Sequence, residues 1–354
     1  MSNFKIAGLI AILALTLSGC TLNFGSKPAD DTRTGGLFKS SDFGQTWQQK
    51  GLLLRTTGQA QGIFSLDVLS FAVDPTDAKA LYFGTLDSGL FYSYDAGESW
   101  QLADGTSQMA VASIAIDPAQ HCRIYFASKN RIMSSDDCGR AWKQLYADND
   151  QNLLIYNMAI DYYNNKIIYM ANSRGDVMKS EDQGVSWRTV IHMANVRFRK
   201  VVMSPFDSRI LIAISDGNRI FRTIDSGLTW ADLKPKMSYF QSMGDFRDLT
   251  VSPKDKGLWI AATTNGLYRT VNDGDNWVEL KLLTPERNAL INSVAISPVD
   301  SRKIYYLTDT TFYTTIDGGD NWKSRTLPTP RRGYLLVTDP KIDGIIYLGP
   351  KKKV

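Results

Sequence analysis

The octapeptide SSDFGQTW at residues 40–47 recurs along the chain as SYDAGESW (93–100), SDDCGRAW (135–142), SEDQGVSW (180–187), TIDSGLTW (223–230), TVNDGDNW (270–277) and TIDGGDNW (315–322). The shared pattern is S/T-x-D-x-G-x-x-W, and successive tryptophans lie 53, 42, 45, 43, 47 and 45 residues apart. A fixed period of about 40–45 residues marks a repeat architecture and suits one four-stranded propeller blade. In each copy Asp42, Asp95, Asp137, Asp182, Asp225, Asn272 or Asp317 can accept backbone N–H bonds in a tight turn between two strands, beside a hydroxyl and a Gly that tolerates positive φ. Trp47, Trp100, Trp142, Trp187, Trp230, Trp277 and Trp322 then pack over the hairpin. Asn272 departs from the pattern but can make the same turn.

Between these boxes lies a second repeated unit: an apolar strand ending in Asp-Pro or Ser-Pro, a short loop, and an aromatic-rich strand. SFAVDPTDAKALYFGT (70–85) is one copy, NMAIDYYNNKIIYMAN (157–172) is a looser one without the Pro, and LLVTDPKIDGIIYLG (335–349) is the last. The first box precedes every such pair, and the last pair has no box after it. One blade is therefore assembled from both ends of the chain, the closure that removes exposed sheet edges. The expected fold is all-β: a seven-bladed β-propeller of four-stranded blades over residues 36–354, its last blade closed by N- and C-terminal strand pairs.

Composition agrees. The 354 residues hold 40 Lys plus Arg against 36 Asp plus Glu, and 43% are hydrophobic, which excludes wholesale disorder and a multi-span membrane protein. With only 2 His, histidine-based catalysis is not expected. Phosphate-loop, zinc-ligand and nucleophile–base constellations are lacking, so neither cofactor nor metal is expected. A net charge of +4 does not imply nucleic acid.

The boxes resemble the Asp-box, or BNR, repeat. The N-terminus resembles a bacterial lipoprotein signal: one Lys, an apolar run over residues 6–17, and Leu17-Ser18-Gly19-Cys20 as lipobox. The run is too short to span a membrane. The resemblance implies cleavage after residue 19, acylation of Cys20, a lipidated tether over residues 20–35, and an extracytoplasmic, lipid-anchored protein of the cell envelope. In such an exported protein the hairpin register, which places Cys122 nearly opposite Asp137, predicts a Cys122–Cys138 disulfide.

With strands A to D running outward, the boxes share one face and the D–A and B–C loops the other, where propellers usually carry binding groups. Aligning the inner strands brings Leu69, Ala112, Tyr156, Arg199, Arg247, Asn292 and Tyr334 to one equivalent position at the loop-face mouth of the channel, a candidate polar or anionic recognition site. Arg131, Arg174, Arg197, Lys200, Arg219, Arg287, Arg331 and Arg332 lie in nearby loops, diluted by Asp87, Asp176, Asp216 and Asp245. Lys351, Lys352 and Lys353 end beside the tether, so the loop face is expected near the membrane.

Among relatives in architecture, sialidases share the boxes but use six blades and an Arg-Ile-Pro segment missing here. Seven-bladed xyloglucanases are nearer: TLDSGLFY (85–92) looks like the loop carrying one of their catalytic aspartates, which would be Asp87. Their second carboxylate stands on a second propeller, and glycoside hydrolysis generally requires two. Single-propeller photosystem II assembly factors and sortilin-type receptors are more similar, and imply a non-catalytic scaffold. The expected partner is a membrane or envelope protein, with anionic lipid headgroups as a second contact, engaged by a monomeric propeller. The alternative is a carbohydrate-binding propeller or a glycoside hydrolase using Asp87.

Overall fold

The computed structural model describes residues 33–53, 61–240, 243–284 and 289–353. The expected signal, Cys20 and Arg287 lie outside the described residues. Seven four-stranded antiparallel sheets are formed, numbered here as blades I to VII. Their inner strands are Val68–Val73, Ser113–Ile116, Ile155–Ile160, Phe198–Met203, Phe246–Val251, Ser293–Ile296 and Arg332–Thr338. The second strands of blades I to VI, such as Leu81–Thr85, Ile168–Asn172 and Leu211–Ser215, are buried at every residue. They read as continuous apolar runs because neighbouring blades cover both faces.

Blade VII is built from both chain ends. Leu37–Ser40 pairs with Ile346–Lys351 through Phe38 opposite Leu348, Lys39 opposite Tyr347 and Ser40 opposite Ile346. A buried clamp reinforces this closure. Arg331 donates from Nη1 to Asp67 Oδ1 at 2.6 Å and from Nε to Thr34 Oγ1 at 2.9 Å. The Asp67 carboxylate also accepts the Lys352 amide at 2.8 Å. Arg331, expected among the loop cations, is thus a structural residue with its side chain only 4% exposed.

The box turns repeat one hydrogen-bond pattern. In blade III, Ser180 Oγ donates to Asp182 Oδ1 at 2.8 Å and accepts the Gly184 amide at 2.8 Å, while Asp182 accepts the Ser186 amide at 2.8 Å. Asn272 makes the same bonds, to Thr270 Oγ1 and the Asn276 amide. The residue before the Gly is also left-handed, as at Phe43 (φ 63°), Ala96 (62°), Cys138 (62°) and Gln183 (64°). Its amide anchors the box to the A–B turn of the same blade: Phe43 to Gly344 O, Ala96 to Lys79 O, Cys138 to Cys122 O. In blade II a disulfide between Cys122 and Cys138 joins the same two turns.

At the A–B turns the residue just after the inner strand caps the loop with its side chain. Asp74 Oδ1 accepts the Thr76 and Asp77 amides, and Asp161, which has no Pro after it, accepts those of Tyr163 and Asn164. The acceptor, more than the Pro, makes this turn.

The tryptophans do more than cover their own hairpins. Seven apolar clusters each span two consecutive blades, and each takes in the box tryptophan of the following one. Trp100 of blade I packs beside Leu37 and Tyr347 of blade VII, and Trp277 of blade V beside Ile212 and Leu233 of blade IV.

Two outcomes test this account. Hydrogen bonds from the Ser186 and Thr229 hydroxyls hold Asp182 and Asp225 down at about 2. Because these folded values lie below the unfolded one, the stability is fully present above pH 4 and lost as pH falls towards 2. The melting temperature should drop steeply in that window, and less steeply in Asp182→Asn. Secondly, Arg331→Leu or Asp67→Leu should each cost about 3 kcal/mol in denaturant unfolding by stranding a buried charge, with the double variant recovering part of the loss.

Candidate functional site

Each inner strand begins with a distortion that places one side chain at the channel mouth. The register slips between Val68 and Ser70, Ile155 and Asn157, Phe198 and Lys200, Phe246 and Asp248, and Gly333 and Leu335. The extra residues are Leu69, Tyr156, Arg199, Arg247 and Tyr334. In blades II and VI the amides of Ala112 and Asn292 donate to Ala127 and Leu307, already the partners of Ser113 and Ser293. A bulge frees a residue from the ladder and re-aims its side chain.

All seven aligned residues line one cavity of about 930 Å³, with Leu86, Ala110, Lys129, Leu154, Asp216, Asp245, Arg332, Lys351 and Lys352 among the other lining residues. The cavity is formed by inner-strand starts and B–C loops, so it opens at the end of the propeller opposite the boxes. The next residue along several inner strands ties adjacent blades together. Ser113 Oγ accepts the Met158 amide at 3.0 Å, Asn157 Oδ1 that of Val201 at 2.9 Å, Asp248 Oδ2 that of Val294 at 3.0 Å, and Ser293 Oγ that of Leu336 at 3.1 Å. Lys200 cannot accept, and its ammonium donates instead to Asp248 Oδ1 at 2.6 Å. It serves this ring more than the loop surface.

The mouth arginines differ in what they can offer a ligand. Arg199 makes two hydrogen bonds to Asp216, at 2.6 and 3.0 Å, and lies 4.7 Å over the Tyr156 ring. Pairing with Asp216 raises its pKa further and absorbs much of its field. Arg332 donates to Asn292 Oδ1 at 3.3 Å and sits 3.7 Å from Asp309. Lys351 lies 5.0 Å over the Tyr334 ring, its pKa lowered by burial and then by Arg332. Arg247 is exposed, and among the described residues no hydrogen bond or ion pair engages it.

The remaining predicted cations among the described residues stand apart from the cavity. Arg174 is held between Asp176 and Asp148, at 2.8 and 3.1 Å. Arg219 pairs with Asp232 at 2.8 Å beside a separate cavity of about 620 Å³. Arg131 is exposed on blade II and does not line the mouth. Asp87 is exposed on a B–C loop, accepting from Ser88 Oγ at 2.8 Å, and does not line the cavity either. Sequence alignment of the inner strands alone missed Leu86, Lys129 and Leu154, because B–C and D–A loop tips vary in length and have no common register.

Adjacent residues provide a test of these assignments. Asp248→Ala should cost about 2–4 kcal/mol, because Lys200 and the Ser293 and Val294 donors lose their partner. Arg247→Glu, one position earlier, should stay within about 0.5 kcal/mol of the parent in the same unfolding experiment.

No protein-family model matches the chain. A xyloglucanase of Paenibacillus sp is 23% identical over 266 residues, 71% of this chain and 24% of that enzyme. A vacuolar protein sorting/targeting protein 10 of Pyricularia oryzae is 34% identical over 80 residues, 22% of this chain and 5% of that protein. The chain thus spans about a quarter or less of these relatives. Among solved structures, YCF48 bound to D1 peptide superposes with a TM-score of 0.62 at 16% identity, covering 80% of this chain and 93% of that one. The GH74 xyloglucanase from Xanthomonas campestris gives 0.65 at 14% identity, covering 81% of this chain and 51% of that one. The chain is similar to both groups in fold, a seven-bladed propeller.

Proposed function

We propose that this protein is a non-catalytic, lipid-anchored propeller of the bacterial envelope that grips a segment of a membrane or envelope protein in the mouth of its channel. The observation that carries this reading is the mouth itself, where Arg247 and Lys351 are free of ion pairs among the described residues and share the lining with Tyr156 and Tyr334, rings overlaid by Arg199 and Lys351. Such a mixture of aromatic and cationic groups suits protein recognition. The solved neighbour with a bound D1 peptide supports it by showing that a propeller of this shape can hold a polypeptide segment. Among the described residues the lining carboxylates are Asp216, committed to Arg199, and Asp245, an unpromising pair for general acid–base work on a glycosidic bond.

The test is a crosslinked pull-down from native membranes, comparing the parent with an Arg247→Glu, Lys351→Glu variant. A discrete membrane-protein partner should be captured by the parent and reduced at least tenfold in the variant. Equal capture by both would remove the mouth from the reading. The match to xyloglucanases over most of the chain favours a second reading, hydrolysis of a polysaccharide through Asp87. Release of reducing ends from xyloglucan that disappears in Asp87→Asn would establish it in place of the first.

A further inference from the structure

The lining of the mouth is divided. Blades I to III contribute Leu69, Leu86, Ala110, Ala112 and Leu154, whereas blades IV to VII contribute Arg199, Arg247, Asn292, Arg332, Lys351 and Lys352. Tyr156, stacked under Arg199, stands at one border between the halves. Among the described residues Lys129 is the one cation lining the apolar half, and the two lining carboxylates, Asp216 and Asp245, both belong to the cationic half. Leu86 and Leu154 are 43% and 40% exposed and line the same cavity as Leu69.

We infer that the mouth is a two-part receptor for a partner segment in which a bulky apolar side chain lies next to a carboxylate. The inference rests on the protein-binding reading above and specifies its ligand. The apolar side chain would leave water against Leu69, Leu86 and Leu154, and the carboxylate would reach Arg247 and Lys351 in the cationic half. Neither half suffices. An acidic segment without the apolar residue leaves the leucines wet, and an apolar one leaves the cations facing a low-dielectric ligand without a counter-charge. The requirement for both is a source of specificity, because each mismatched segment forfeits one term. Asp245, the lining carboxylate in the cationic half that is not paired with Arg199, further repels segments with several acidic residues.

The experiment uses fluorescein-labelled, C-terminally amidated hexapeptides, identical except at two adjacent central positions: Leu-Glu, Ser-Glu, Leu-Gln and Ser-Gln. Binding is read by fluorescence anisotropy with the mature protein and with Leu86→Ser, Leu154→Ser and Arg247→Gln, Lys351→Gln double variants. Leu86, Leu154 and Arg247 are exposed and Lys351 is half-buried at the end of its strand, so these changes lie at the mouth and leave the apolar clusters between blades intact. Leu-Glu should bind about tenfold or more tightly than Ser-Glu and Leu-Gln. The leucine variant should lose only the Leu preference, and the cation variant only the Glu preference. Equal binding of Leu-Glu and Ser-Glu, or preferences unmoved by the variants, would overturn the inference. If the pull-down still captures a partner sensitive to Arg247, the protein-binding reading survives that result. If anionic phospholipid vesicles compete with Leu-Glu while no partner is captured, both fail and the mouth is a lipid site.

Discussion

Each blade is a twisted sheet with two apolar faces, and neither face can be left in water. The ring exists because every blade buries one face against the blade before it and the other against the blade after. The box tryptophan is the heaviest piece of that seam. An indole burying about 200 Å² contributes on the order of 5 kcal/mol at roughly 25 cal/mol per Å², before the entropy of ordering it is subtracted. A turn hydrogen bond contributes only about 1 kcal/mol net. The box turn therefore matters chiefly because it sets the tryptophan at the seam, where Trp47 of blade VII meets Phe312 of blade VI edge-on at 5.4 Å and Trp187 of blade III meets Tyr146 of blade II at 6.0 Å.

A ring of seams is stable only when it closes, and closure explains why blade VII is split between the chain ends. The order of boxes and inner pairs made this legible in the sequence, since order is a topological fact that survives ignorance of distances. The clamp at Arg331 was not legible. A loop arginine near other arginines reads as surface charge, and only the structure brings Asp67 and Thr34, from the other end of the chain, against it. The second left-handed residue in each box was equally hidden, because Phe43, Ala96 and Cys138 do not advertise positive φ as a glycine does.

The mouth was legible in position but not in charge balance. Counting repeats placed Leu69, Ala112, Tyr156, Arg199, Arg247, Asn292 and Tyr334 at one level, and all line one cavity. Spacing carries no information on which arginine meets a carboxylate. Arg199 is matched with Asp216 from a neighbouring B–C loop of its own blade, while Arg247 two strand pairs further on is not. Two residues equivalent by repeat register thus have opposite electrostatic standing.

The bulge is what separates scaffold from recognition in this fold. The residue after it is fixed by the neighbouring blade: Ser113, Asn157, Asp248 and Ser293 all take a bond that the ring needs. The bulged residue itself is set out of the regular pairing, and apart from Asn292, whose Nδ2 donates to Gly333 O of the next blade at 2.8 Å, closure places almost no demand on its side chain. That freedom is visible in the set Leu, Ala, Tyr, Arg, Arg, Asn, Tyr, which shares no size, polarity or charge. A ring that must repeat seven times to close therefore leaves one unrepeated residue per blade facing a common space. The division of that space into an apolar and a cationic half is not required for folding, so its cause is to be sought in what the mouth holds.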